Sequence, residues 1–340
     1  MSINLYDGIL NRRNALNFIR LCLAIMVIFG HSFQVVVARH SRWEGFAGLA
    51  VDLFFMISGF LILASAQRNS ALGYLWRRVL RIFPGYWVAL MFVAFVCAPL
   101  GSLLGYATHP WTLSEALGFM VRNFDLMGIQ YELLGPINVP NPDAWNESIW
   151  TLGYEFLAYL LLIPIAYLPA VRRYPRTAVT VAFLFSLMMF PVLELADATT
   201  NRYYVYARLF PCFLAGSLLY VWGKKITVRP LWVIASLALS LIIYFGFDSL
   251  ALRQFTQLIF AYAILGLACM IKIYWGSHND LSYGVYIYAF PLQQLLVMMG
   301  ATPLGIMGNT LLATILSLGM AYLSWRFVEK PALALKRLIN

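Results

Sequence analysis

Long apolar runs separated by short polar breaks fill this chain from end to end. Ten runs come close to the roughly 20 residues that hydrocarbon requires of a crossing helix. They are 17–38, 46–66, 84–106, 149–170, 176–196, 206–223, 229–247, 255–274, 281–300 and 307–328. The pattern therefore predicts an all-α, polytopic membrane protein with about ten transmembrane helices. Two pairs, 149–196 and 281–328, have short connections and read as helical hairpins. Residues 67–83 are basic and predict a short interfacial helix before the third span. Residues 107–148 are the one long connection. Within it WTLSEALGFMVRNF has a helical apolar period and predicts a surface helix. There is no repeat, so residues 1–340 are expected to form one domain.

Composition agrees. The chain is 62% hydrophobic and 11% charged, with mean hydropathy +0.76. A soluble domain is about 45–50% apolar and about 25% charged. Arg12 and Arg13 before the first apolar run resemble the start of a signal peptide. That run is too long, however, and it contains Arg20, so it reads as a retained first span. The net charge of +10 does not require a nucleic-acid partner, because topology accounts for it. With the N-terminus inside, the N-terminal tail, the even-numbered connections and the C-terminal tail carry 16 of the 24 cations. Both termini are therefore expected in the cytoplasm of a cell (inner) membrane protein. The acids Glu115, Asp125, Glu132, Asp143 and Glu147 fall in the long outer connection. The four cysteines lie in apolar runs without metal-ligand spacing, so they read as small core residues and no metal is expected.

The first span, FIRLCLAIMVIFGHS, carries two groups that hydrocarbon penalises. Arg20 and His31 are eleven residues apart, almost three helical turns, which places them on one face about 16 Å apart. Arg20 is then near the inner surface and His31 in the outer half. Asp52 and Glu155 each lie about two turns into inward-running spans, at a similar depth to His31. A neutral imidazole needs a partner on one nitrogen to fix its tautomer, so His31 with Asp52 or Glu155 would make a base and its orienter. A helix–helix tie is the plainer reading of each acid.

The inner side has the opposite chemistry. Arg77, Arg78 and Arg81 precede Pro84, and Arg78 and Arg81 share a helix face. Arg20 and Arg326 reach the same depth, with Lys330 just beyond. Positive-inside topology alone predicts part of this cluster. It is also what a polyphosphate needs.

At these residues the sequence resembles the membrane-bound acyltransferase family 3, the O-acetyltransferases of bacterial surface polysaccharides. Arg20 and His31 match its R-x10-H, and VDLFFMISGFLI (51–62) its second-span signature. RRVLRIFPGYW (77–87) matches R-x-x-R-x-x-P-x-Y/W, and WTLGYEFLAY (150–159) matches W-[ST]-L-x-x-E. LSYGVYIYAFP (281–291) and RFVEKP (326–331) match the last two motifs. The resemblance implies transfer of an acyl group, usually acetyl from acetyl-CoA, to a sugar hydroxyl of lipopolysaccharide, exopolysaccharide or another glycan, free or lipid-linked. It implies His31 as the catalytic residue and Arg20, Arg78 and Arg81 as the CoA contacts, with Arg77 and Arg326 beside them. Acetyl-CoA is then a substrate, and no permanently bound cofactor is expected. Two departures stand out. Ala289 occupies a position where many relatives carry histidine, and the SGNH-type hydrolase domain of some relatives is not expected here. Ser58, Tyr86 and Tyr154 are candidate oxyanion donors. The rival reading is a transporter or flippase, which would line a substrate path with the same buried charges.

Overall fold

A computed structural model describes residues 3–339 apart from 12, 38–41, 136, 197–201, 248, 275 and 277–278. Arg12 of the N-terminal basic pair lies outside the described residues. Among the described residues there is no strand, only an isolated bridge between Asn4 and Thr227. The helices are α1 (Leu5–Leu10), α2 (Leu16–Val37), α3 (Gly45–Ala66), α4 (Ala71–Phe92), α5 (Ala98–Leu103), α6 (Leu113–Arg122), α7 (Trp150–Tyr167) and α8 (Pro169–Arg172). They continue as α9 (Pro175–Leu195), α10 (Arg202–Trp222), α11 (Pro230–Gly246), α12 (Leu250–Met270), α13 (Ser282–Met298), α14 (Gly305–Ser324) and α15 (Lys330–Ala334).

Each of the ten expected spans is a helix. Eight described runs are long and apolar enough to cross a membrane. The other two, α11 and α13, have 17 residues each, about 26 Å of rise. The separate interfacial helix over 67–83 is not found. Instead α4, a π turn at Val93–Cys97 and α5 form one helical run of 33 residues, Ala71–Leu103. At about 50 Å it outreaches a bilayer core, so its basic first turns extend past the apolar length. Pro84 lies inside this run and has no N–H to give. The Tyr283 hydroxyl donates to the nearby Ile82 carbonyl at 2.7 Å. Gly85 makes the approach possible, since a Cβ there would lie 2.8 Å from the Tyr283 ring. At the π turn the Trp111 indole donates to the Ala94 carbonyl at 2.9 Å. The surface helix of the long connection is α6, capped by Thr112, whose hydroxyl oxygen accepts from the Glu115 N–H.

The chain divides into two compact units. Unit 1 comprises residues 1–19, 52–75 and 157–278, and unit 2 comprises 20–51, 76–156 and 279–340. In unit 1 the backbones of α3 and α10 touch: a Cβ at Gly59 would sit 1.8 Å from the Phe213 carbonyl oxygen, and one at Gly216 would sit 1.9 Å from that of Met56. Small residues permit such contact where the hydrophobic effect does not drive helices together. Ser217 ties the crossing by donating to the Gly59 carbonyl at 3.0 Å. In unit 2 the central helix is α13, buried along nearly its whole length. It packs on α14, with Gly284 against Ala321. A helix covered on all sides by protein can carry polar residues at membrane depth, and α13 buries both Gln293 and Gln294 completely.

Candidate active site

Unit 2 holds most of the residues singled out by the sequence. At one end of α2, Arg20 pairs with the Asp280 carboxylate just before α13. Arg81 of α4 donates to the same Asp280 oxygen at 2.6 Å and to Glu329 at 3.2 Å. Ser282 gives the other Asp280 oxygen its hydroxyl at 2.6 Å and its N–H at 3.2 Å. Ser324 donates to the second Glu329 oxygen at 3.1 Å. The Arg81 guanidinium lies 5.3 Å from the Tyr283 ring centre and 6.0 Å from that of Trp325. Four helical segments are thus joined by two cations and two anions. Burial pushes the Asp280 carboxyl up, but Arg20 and Arg81, with both Ser282 donors, outweigh this and hold it well below the usual carboxylate range. Arg77 and Arg78 are half-buried on α4 a turn before Arg81, and Arg326 is exposed.

Three turns along α2 the surroundings become neutral. His31 is 8% exposed. Its Nδ1 lies 3.5 Å from the Ser148 hydroxyl, at the long limit of a hydrogen bond, and its ring meets Phe290 edge-on at 5.1 Å. Nε2 has no protein partner among the described residues. The next residue, Ser32, donates to the Ile28 carbonyl at 2.9 Å and lies 2.9 Å from the Thr310 hydroxyl. The Gln293 amide donates to Ile28, Ser32 and Asn309 at 2.8–3.1 Å. This buried cluster fixes the α2 backbone beside the imidazole through α13 and α14. The long connection closes over the same region. Asn146 donates to the Ile287 carbonyl at 2.9 Å, and Gln294 to the carbonyls of Asn141 and Ala144 at 2.8 and 2.9 Å. The segment that leads into Ser148 is therefore anchored to α13.

The bonded partner of His31 is a serine, where the sequence suggested a carboxylate. Glu155 is half-buried on α7, one turn past Thr151, whose hydroxyl meets that of Tyr286 at 2.7 Å. Asp52 belongs to unit 1, where Arg208 of α10 grips one of its oxygens through Nε at 3.1 Å and Nη2 at 3.0 Å. Of the oxyanion candidates, Tyr86 gives its hydroxyl to the Asn123 carbonyl at 2.8 Å.

Sequence reasoning missed Asp280, Glu329, Ser148 and Arg208. A signal existed for the first two. On the cation-rich side the sequence has three acids, Asp7, Asp280 and Glu329, and two of them are the partners of Arg20 and Arg81. Ser148 and Arg208 depend on tertiary placement and had no such signal.

Residues 13–328 match the acyltransferase domain family known as acyltransferase 3. The chain is 26% identical to an O-acetyl transferase of Shigella phage Sf6, over 94% of this chain and 96% of that protein. It is 27% identical to nodulation protein 10 of Rhizobium leguminosarum bv. viciae, over 95% and 94%. An uncharacterised protein of Haemophilus influenzae is 28% identical over 51% of this chain and 74% of its own length. No solved structure matches. Many apolar helices and a family match over nearly the whole length lead to one conclusion: this chain belongs to acyltransferase family 3 and is a multi-pass membrane acyltransferase that acts on a hydroxyl.

Proposed function

We propose that the protein moves an acetyl or similar short acyl group from acyl-CoA to a sugar hydroxyl, with His31 as general base. The observation that carries this is the His31 site itself, a buried imidazole with a hydroxyl on Nδ1 and no protein partner on Nε2. Nδ1–H donated to Ser148 leaves the Nε2 lone pair for the acceptor hydroxyl proton. The hydroxyl oxygen then attacks the thioester carbonyl, the carbon–sulfur bond breaks, and the proton leaves on the CoA thiol. Acetyl is favoured because a relative over the full length is named an O-acetyl transferase.

The donor enters from the cytoplasm, at the ionic end of α2. Arg20 and Arg81 share Asp280, so much of their charge is matched. Arg77, Arg78 and Arg326 tilt the balance there toward positive charge for the CoA phosphates. The acceptor is met at the His31 end, from the extracytoplasmic side of the inner membrane. Glu155 lies on the same unit as an additional charge and is tested as Glu155→Gln, for which a lower rate is expected.

Sealed vesicles of known orientation test the proposal. Acetyl-CoA labelled in the acetyl group is added to the face bearing residue 78, with a surface-glycan preparation trapped inside. Label bound covalently to trapped glycan supports it. Label that crosses into the lumen without covalent attachment would instead identify a transporter.

A further inference from the structure

At one end of unit 1, four chain segments border an open cavity of about 490 Å³. Its walls come from α1, the end of α3, the α8–α9 connection and the end of α10. Arg173, Arg176 and Lys224 line it together with Tyr6, Gln67 and Tyr220, and no acid does. Asp7, the acid on α1, accepts from the Asn4 amide at 2.8 Å. None of the three cations has an acidic partner among the described residues. Each is instead steadied on an aromatic face: Arg173 at 5.7 Å from the Tyr174 ring centre, Arg176 at 5.1 Å from that of Trp222, and Lys224 at 4.9 Å from that of Tyr6. Arg176 is further pinned through Nε to the Val221 carbonyl at 3.3 Å, which leaves its two Nη groups to donate elsewhere. The Tyr220 hydroxyl donates to Gln67 at 3.1 Å and closes the floor.

The ionic end of unit 2 matches its arginines with carboxylates. Here three like charges are brought into one concavity by separate chain segments and left unmatched. Mutual repulsion opposes that arrangement, and an anion in the middle relieves it. Guanidinium and ammonium donors over aromatic rings suit a phosphate whose neighbouring atoms are apolar or planar. We propose that this cavity is a binding site for the phosphate group of an anionic ligand, separate from the residues assigned to acyl transfer. A lipid headgroup and a soluble polyphosphate both offer that chemistry, and the test distinguishes them.

Melting of the full-length protein in detergent is followed with three additives: phosphatidylglycerol, phosphatidylcholine and inorganic pyrophosphate. The variants are Arg173→Gln/Arg176→Gln/Lys224→Gln and, as a charge control outside the cavity, Lys336→Gln/Arg337→Gln. Stabilisation of wild type by phosphatidylglycerol and not phosphatidylcholine assigns a lipid headgroup. Stabilisation by pyrophosphate assigns a soluble ligand. In either case the control keeps the response, and the triple variant needs at least about tenfold more additive, since even one lost charge-assisted contact is worth about that factor. If the triple variant does not fold, Lys224→Gln alone carries the test with an expected loss of about tenfold, as this exposed side chain makes no hydrogen bond among the described residues. The proposal is overturned if neither anion stabilises wild type, or if the cavity variant responds as the control does.

Discussion

The two ends of α2 show opposite ways of keeping a polar side chain inside a membrane protein. Arg20 is a permanent charge, and the fold supplies it with Asp280, which in turn is shared with Arg81 and capped by Ser282. His31 need not be charged, and among the described residues its contacts are uncharged: Ser148, Phe290 and, one residue on, the Ser32–Gln293–Asn309 cluster. A carboxylate bonded to His31 would favour the imidazolium, giving a stronger base that is also protonated at higher pH. A hydroxyl fixes the ring with far less effect on its charge. The ionic end is thus suited to rigidity and anion handling, and the neutral end to proton transfer.

The sharpest way to break this comparison is at the neutral end. His31→Ala is expected to lower acyl transfer by about 100- to 10,000-fold, the usual worth of a positioned base, while the protein remains monodisperse in detergent. A folded His31→Ala protein with a wild-type rate would remove the base from the mechanism. The ionic end should respond in stability. Asp280→Asn leaves two guanidinium groups facing an amide, and breaking a buried pair costs about 3–5 kcal/mol. The Asp280 side chain is 16% exposed, so about 2–4 kcal/mol is expected, read as a lower unfolding midpoint. Because its carboxyl is held below the ordinary value of about 3.9, the stabilisation is fully present above that pH. It is lost only as pH falls through the lower folded value. The gap between wild type and Asp280→Asn should therefore be flat from about pH 5 to 8. A gap that closes within that range would contradict the assigned pairing. Glu329→Gln should cost less, since Arg81 keeps Asp280.

A smaller effect tests what supports the ionic end. Gly85→Ala puts a methyl group 2.8 Å from the Tyr283 ring, whose hydroxyl serves the Ile82 carbonyl beside Pro84. Overpacking of this kind costs about 1–3 kcal/mol. Tyr283→Phe should remove part of the same stability without adding bulk. Equal melting of both variants and wild type would show that this turn of α4 needs no such support.

Much of this architecture could be read in advance, and the exceptions have physical causes. Every span announced itself because hydrocarbon demands length and apolarity, two properties that a sequence carries directly. The surface helix α6 announced itself through its apolar period. The boundary expected between residues 67–83 and the third span was misplaced because Pro84 lies inside one continuous helix, whose neighbouring turn is held by the Tyr283 hydroxyl on the Ile82 carbonyl. At the site, Arg20 and His31 were legible because a single helix fixes their spacing. Their partners were not. Asp280 is 260 positions from Arg20, and Ser148 is 117 from His31, and no local pattern encodes such pairings.

The smallest expected effect is the most informative about His31, and it concerns Ser148. A neutral hydrogen bond is worth about 0.5–1.5 kcal/mol, so Ser148→Ala should lower kcat by roughly two- to tenfold. The KM for acyl-CoA should stay put, because Arg20 and the ionic end lie about 16 Å away along α2. Threonine keeps the hydroxyl, and Ser148→Thr should recover part of the rate. The pH–rate profile then reports which way the bond runs. If Nδ1–H donates to the serine oxygen, its loss removes an acceptor that favours the imidazolium, and the acid limb moves to lower pH. If the serine donates to Nδ1, the limb moves to higher pH, and Nε2 carries a hydrogen and cannot be the base as assigned. An unchanged profile with unchanged kcat would make the 3.5 Å contact packing alone, with no part in setting the tautomer.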